Sequence, residues 1–193
     1  MAVHLIFLAA GFSRRFGSNK LFYLMDGKPM YRHVLDRLLE ILKDGTFCAN
    51  LTVVTQYDRI CREMAGEPCT VAVNPDPSRG ISSSLAEGIL SLERRGALSE
   101  DDLLVFFNAD QPNLRKETIC RFLEKTLACG ADLAAAGING IPKNPCAFRG
   151  KYAAELKKLT GDTGGKQLIR RFPEHVFVFN EVSEEELEDI DML

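Results

Sequence analysis

The residues Val3-His4-Leu5-Ile6-Phe7-Leu8-Ala9 form a nearly continuous apolar run that passes straight into Ala10-Gly11-Phe12-Ser13. A run this short, apolar throughout and without polar alternation, reads as a strand buried on both faces. Such a strand needs helices above and below it, and the rest of the chain offers them. Pro29 fits the first turn of a helix that carries Met30, Val34, Leu35, Leu38, Leu39 and Leu42 at three- and four-residue spacing. Residues 51–55 and 70–73 are apolar and rich in β-branched residues, and predict strands on either side of a short helix near 59–65. The turn-rich Asn74-Pro75-Asp76-Pro77 precedes a predicted helix over 82–95. A strong strand over 103–107 ends at Asn108-Ala109-Asp110-Gln111-Pro112. A helix over 115–129, a weak strand over 132–136 and a late strand over 175–179 follow. This alternation predicts an α/β fold with a mostly parallel sheet flanked by helices. Ligands then bind at the carboxyl ends of the strands, where three polar, glycine-rich or acidic loops fall.

Length and charge narrow the classes. With 193 residues, the chain is expected to form one domain over 1–193, and 46% hydrophobic residues suffice for a core. A formal net charge of −3 argues against a nucleic-acid or anionic-membrane partner. No apolar run approaches the roughly 18 residues of a membrane span. The apolar start lacks a basic leader and is read as a strand, not a signal peptide. Cys48, Cys61, Cys69, Cys120, Cys129 and Cys146 form neither a C-x-x-C pair nor a zinc pattern. Reduced thiols in a cytoplasmic protein is the expectation.

The strongest chemical signal is Leu8-Ala9-Ala10-Gly11-Phe12-Ser13-Arg14-Arg15-Phe16-Gly17-Ser18-Asn19-Lys20. Glycine lets backbone approach an anion closely, and free N–H groups in such a loop can cradle phosphate. Arg14, Arg15 and Lys20 would neutralise phosphate charge. The spacing fits neither a Walker A loop nor G-x-G-x-x-G, and a glycine turn with surface arginines remains open. Asp110, just past a strand, suits either Mg²⁺ against phosphate oxygens or a helix cap. Asp162 in Gly161-Asp162-Thr163-Gly164-Gly165 is a second carboxylate or a turn residue. Gly80 with Ser82, Ser83 and Ser84 opens a helix, and a serine N-cap at Ser82 or Ser83 explains one hydroxyl. Asn74 is a turn residue by default, and Pro145 shapes a turn before a strand at Cys146-Ala147-Phe148. Ser183 with Glu186 could form a capping box in an acidic tail, with a solvated acidic face as the plainer alternative. His4, His33 and His175 share no motif with a carboxylate, and no serine stands in G-x-S-x-G.

The string L-A-A-G-x-S-x-R-x-G-x-x-K resembles the signature of Rossmann-like nucleotidyltransferases. Asn74-Pro75, Arg79-Gly80-Ile81-Ser82-Ser83-Ser84-Leu85, Ala109-Asp110-Gln111-Pro112, Asn144-Pro145 and Gly161-Asp162-Thr163-Gly164-Gly165-Lys166 follow in the order of the MobA-like branch. Within that branch the chain looks most like the molybdenum cofactor cytidylyltransferases. The resemblance implies transfer of a cytidylyl group from CTP to the phosphate of a molybdopterin-type acceptor, with Mg²⁺ as cofactor. It implies Lys20, Arg14 and Asp110 as catalytic residues. Nucleotide contacts would fall at Ala9, Ala10, Gly11, Lys20, Asn74, Gly80, Ser82 and Ser83, and metal contacts at Asp110 and Asp162. Ala10 favours CTP, because Ala-Ala-Gly goes with the cytidylyl enzymes and Ala-Gly-Gly with the guanylyl ones. Two features depart from the pattern: Asn108-Ala109 precedes Asp110 where glycine is common, and the ending Asp189-Ile190-Asp191-Met192-Leu193 is shorter. The alternatives are another phosphorylated acceptor, such as a sugar or alcohol phosphate, and a non-catalytic pterin- or nucleotide-binding chaperone that matures a molybdenum hydroxylase.

Overall fold

A computed structural model of the chain describes residues 1–13 and 19–190. Its centre is a seven-stranded sheet in the order β5-β4-β1-β6-β8-β7-β9. The strands are β1 (Val3–Ala9), β4 (Ala49–Thr55), β5 (Thr70–Val73), β6 (Leu103–Asn108), β7 (Leu133–Ile138), β8 (Ile141–Arg149) and β9 (Val176–Phe179). Strands β2 (Leu24–Met25) and β3 (Lys28–Pro29) form a separate small hairpin. The neighbours β5, β4, β1 and β6 are parallel, as are β7 and β9, whereas β8 runs against both β6 and β7.

Strand β1 is buried along its whole length because each face meets a different core. Leu5, Phe7 and Ala9 pack with Val34, Leu35 and Leu38 of α1 (Met30–Asp44), Ile60 of α2 (Asp58–Glu63) and Phe122 of α4 (Lys116–Cys129). Ile6 and Leu8 pack with Leu85, Ile89 and Leu92 of α3 (Ile81–Arg94), Leu156 of α5 (Ala153–Lys157) and Leu168 of α6 (Lys166–Arg171). The period-two alternation of a strand thus divides one apolar run between two layers. Each fully buried Leu, Ile or Phe contributes about 1.5–3 kcal/mol relative to exposure. Helix α3 lies close on the sheet at Gly88, where a Cβ would stand 2.7 Å from the Ile6 Cγ2. Among the described residues no helix is long and apolar enough to cross a membrane.

The predicted strands at 3–9 and 70–73 coincide with β1 and β5, and several other boundaries move by one to three residues. Pro29 stands at the cap position before α1 and pairs with Leu24 in the hairpin, so the first turn begins at Met30. His175 belongs to the 3-10 turn Pro173–His175 ahead of β9. The 132–136 strand extends through Ile138 to a tight return into β8, with a register shift between Ala135 and Gly137.

Candidate functional site

The backbone leaving β1 is tethered from the strand beside it. Thr55 Oγ1 donates to the Ala9 carbonyl at 2.9 Å, and Gln56 Nε2 donates to the Ala10 carbonyl at 2.7 Å. The Tyr57 hydroxyl donates to the Gly11 carbonyl. Burial pushes the Tyr57 phenol above its ordinary pKa, which keeps its proton available for that bond. Three consecutive carbonyls are therefore drawn toward β4. In a trans peptide the N–H opposes the C=O, so the amides of Ala10, Gly11 and Phe12 turn the other way. Gln56 and Tyr57 carry no motif, and only the β1–β4 pairing brings them here.

Opposite this loop, Asn19 caps the 3-10 turn Lys20–Phe22 by accepting from the Leu21 N–H at 3.1 Å. The cap sets Lys20 at the mouth of β6. Its Nζ lies 2.9 Å from Asp110 Oδ2 and donates to the Ile190 carbonyl at 3.0 Å. Both side chains are mostly buried, at 12% and 24% exposure, so solvent does not fully screen the pair. Asp110 follows Ala109, whose N–H donates to the Leu8 carbonyl at 3.2 Å, so the carboxylate stands where β1 and β6 end together. A cavity of about 530 Å³ opens there, lined by Ala10, Gly11, Lys20, Gly80, Asp110 and Asp162 among others. Phe12, Ser84 and Asn108 also reach it; they lie within the motif segments but are not among the residues to which the sequence assigns a role. Arg14 lies outside the described residues.

Ala9, Asn74, Ser82 and Ser83 are not on the cavity wall. Ala9 is wholly buried in β1. Asn74, 3% exposed, donates from Nδ2 to Ser83 Oγ at 2.9 Å and Ser84 Oγ at 3.0 Å, and its Oδ1 accepts from the Asp76 N–H. Its side chain ties the loop after β5 to the start of α3. The serines do not cap that helix. Gly80 holds the cap position, and Ser83 Oγ donates back to the Gly80 carbonyl at 2.8 Å. A glycine is required at this point: its φ is +84°, and a Cβ would lie 2.5 Å from Asp162 Oδ1 and from the Gly161 carbonyl. The Ser82 N–H donates to that same carbonyl at 3.2 Å, so the 160–165 loop is laid across the start of α3. This contact brings Asp162 to the cavity that Asp110 lines.

The acidic tail is not merely a solvated face. The Glu186 N–H donates to Ser183 Oγ at 3.4 Å, the capping contact expected of that pair, though it opens only the 3-10 turn Glu185–Leu187. Glu186 is 3% exposed and takes a 2.7 Å bond from the Arg115 guanidinium. Burial opposes its charge, yet donors from Arg115 and Thr118 outweigh that and hold its carboxyl below the usual range. The tail continues to Ile190, whose N–H donates to the Asp110 carbonyl at 2.9 Å. On the far side of β1, His4 is fully buried between Asn50 Oδ1 at 2.9 Å and Asp102 Oδ2 at 3.2 Å, far from the cavity lining.

Comparison with known proteins gives this arrangement its context. The chain is 28% identical over 181 residues to 2-C-methyl-D-erythritol 4-phosphate cytidylyltransferase of Rhodopirellula baltica, covering 88% of this chain and 67% of that protein. It is 32% identical over 83 residues to a probable molybdenum cofactor guanylyltransferase of Pyrococcus horikoshii, covering 42% of this chain and 41% of that one. A nucleotidyl transferase from Methanothermobacter thermautotroptrophicus superposes with a TM-score of 0.76 at 18% identity, over 99% of this chain and 92% of that one, which speaks to the fold. The MobA-like NTP transferase domain matches residues 5–176, a span that takes in the tethered first loop, Asp110 and Asp162. A nucleotidyltransferase sheet with its polar loops gathered at one edge, and a match running through all of those loops, lead to one assignment: the chain belongs to the MobA-like NTP transferase family.

Proposed function

We propose that this protein transfers a cytidylyl group from CTP to the terminal phosphate of a molybdopterin-type acceptor and releases pyrophosphate. The observation that carries this reading is the Lys20–Asp110 pair at 2.9 Å, set in a cavity that Asp162 also lines. A terminal phosphate is already ionised at neutral pH, so its oxygen attacks the α-phosphorus without a protein base. The new P–O bond forms as the bond to the β-phosphate oxygen breaks. What the protein supplies is alignment and relief of charge repulsion. Lys20 exchanges Asp110 for triphosphate oxygens, joined by Arg14, and the N–H groups of Ala10 and Gly11, which turn away from β4, donate to phosphate oxygens. Gly80 lets the nucleotide approach the backbone at the start of α3.

The donor set suits Mg²⁺. Asp110 and Asp162 offer hard carboxylate oxygens on one cavity, and no group of three His, Cys, Asp or Glu able to hold a metal exists among the described residues. One or two carboxylates completed by substrate phosphates is the arrangement Mg²⁺ commonly takes. Bound there, it would offset the triphosphate charge and polarise the α-phosphate. Ala10 and the cytidylyltransferase from Rhodopirellula favour CTP. That relative's name also supports a second acceptor class, a polyol phosphate. Intact Lys20 and Asp110 favour an enzyme over a non-catalytic chaperone.

The test is magnesium-dependent pyrophosphate release with molybdopterin, comparing CTP, GTP and ATP. Release with CTP that vanishes in Lys20→Ala is expected. Release only with another nucleotide would overturn the base assignment. No release from folded protein with any nucleotide would overturn the acceptor.

A further inference from the structure

Asp110 and Gln111 are neighbours in sequence but face different cavities. Asp110 lines the cavity already described, whereas Gln111 lines a second of about 490 Å³. Lys143 and Asn144, at the start of β8, form one part of its wall, and Lys166 of α6 another. The tail supplies Leu187 and three carboxylates, Glu184, Glu188 and Asp189. The two walls are joined by short stretches of chain: Asp110 and Gln111 are consecutive, Ile190 follows Asp189 and bonds both Lys20 and Asp110, and the 162–166 loop runs from Asp162 of the first wall to Lys166 of the second.

Gln111 is the unusual member. Its residue is only 1% exposed, and its Nε2 donates to the Leu187 carbonyl at 3.0 Å. That bond fixes which way the amide faces, because a flip would set two oxygens against each other. The remaining atom, Oε1, is buried and has no hydrogen-bond partner among the described residues. Buried side-chain acceptors are normally satisfied, so an orphan on a cavity wall asks for a donor brought by a ligand. The charges on the wall agree. Two lysines would attract an anion, while the tail carboxylates favour hydrogen-bond donors on the same molecule. Lys143 is only loosely paired, its Nζ 3.9 Å from the exposed carboxylate of Glu184.

We propose that Gln111 reads an N–H or O–H donor on the head group of the phosphorylated acceptor, with Lys143 and Lys166 drawing its negative charge toward Asp110. This deepens the nucleotidyl-transfer reading and rests on it. The segment 184–189 gives slightly as the head group enters and satisfies Oε1. Pterins and polyols both carry such donors, so the two sources are separated by experiment. A site built around a substrate donor discriminates strongly against its loss.

Binding of 6-hydroxymethylpterin phosphate and of erythritol 4-phosphate would be measured by calorimetry, alongside CTP binding. The proteins are wild type, Gln111→Met, Lys143→Ala and Asn113→Ala. Asn113 bonds the Glu185 carbonyl but does not line the cavity, so its variant reports loosening of the tail alone. For one of the two probes, Gln111→Met and Lys143→Ala are expected to weaken binding by roughly 10- to 100-fold. CTP affinity should change by less than about 3-fold in both. Asn113→Ala should leave the probe's affinity within that same margin. The probe that binds names the head group. Binding of neither probe to wild type, unchanged affinity in Gln111→Met, an equal loss for CTP, or an equal effect of Asn113→Ala would each overturn the proposal. Should Gln111→Met fail to fold, Lys143→Ala decides by the same criteria. The expected binding pattern without pyrophosphate release would instead overturn the proposed transfer and leave the role of Gln111 standing.

Discussion

Replacing Gly80 by alanine tests how the nucleotide side of the site is built. With φ at +84° and ψ at −174°, the residue sits in a region essentially restricted to glycine, where a side chain costs about 1–3 kcal/mol. The added Cβ would lie 2.5 Å from the Gly161 carbonyl carbon and oxygen and from Asp162 Oδ1. Two of those atoms are backbone, so the 160–165 loop must lift off the start of α3. That strains or breaks the Ser82–Gly161 hydrogen bond, a further ~0.5–1.5 kcal/mol. The sum is about 1.5–4.5 kcal/mol, which for a chain of this length lowers the melting temperature by roughly 3–18 °C. Because Asp162 is displaced with the loop, the magnesium concentration needed for half-maximal pyrophosphate release should rise as well. Thermal unfolding followed by circular dichroism, with a magnesium titration of activity, checks both. A Gly80→Ala protein with wild-type melting and magnesium dependence would refute the packing argument, not merely adjust its size.

Lys20→Ala should lower kcat/KM for nucleotidyl transfer by about 10²–10³-fold, while changing stability by less than about 1 kcal/mol, since the Asp110 pair is partly solvated. Steady-state kinetics and urea unfolding separate the two effects. Burial disfavours the charge on Asp102, but bonds from the Ala2 and Ser99 amides and from His4 outweigh it and hold its carboxyl below the ordinary range. A depressed folded-state pKa adds stability above the unfolded value, and that stability is lost as pH falls through the folded one. Asp102→Asn should therefore cost about 1.5–3 kcal/mol at pH 7 and a shrinking amount on acidification, read by urea unfolding at several pH values. Burial pushes the Cys146 thiol up to about 12, so native protein should alkylate at exposed Cys48 and Cys129 and spare Cys146 until it unfolds, as peptide mapping would show.

The central strands were readable from residue type because burial on both faces writes itself as an apolar run. Val3–Ala9 and Leu103–Asn108 show this, the first most fully. The hairpin at Leu24–Pro29 and the short helices α5 and α6 were not, since a few residues carry no period to read. At the site, position marked Gly11, Lys20 and Asp110 as candidates in loops that follow recognisable strands, and the family resemblance, not position, attached roles to them. The start of α3 was not readable in this way. Three serines suggested a side-chain cap, whereas the helix is opened by a glycine whose conformation depends on a loop 80 residues later. Gln56 and Tyr57 were equally hidden: their work is on a strand that neighbours theirs in space, and composition does not record which strands are neighbours.

Strand β8 runs opposite to its neighbours, so the connection that enters it, and not the one that leaves it, arrives at the ligand edge of the sheet. In the parallel half, the loops that leave β4, β5 and β6 at that edge run on into helices, and altering such a loop disturbs a strand–loop–helix unit. The segment entering β8 launches none; it hands over from the tight β7–β8 return and then joins the register. Its residues Lys143 and Asn144 lie in β8 at the irregular stretch of the β7–β8 ladder, between the pairs Gly137–Pro142 and Ala135–Cys146, and they belong to neither of the units bearing Gly11 and Asp110. Side-chain changes at 143 and 144 should accordingly alter the wall of the second cavity with less effect on the first than changes in the loops that follow β1 or β6.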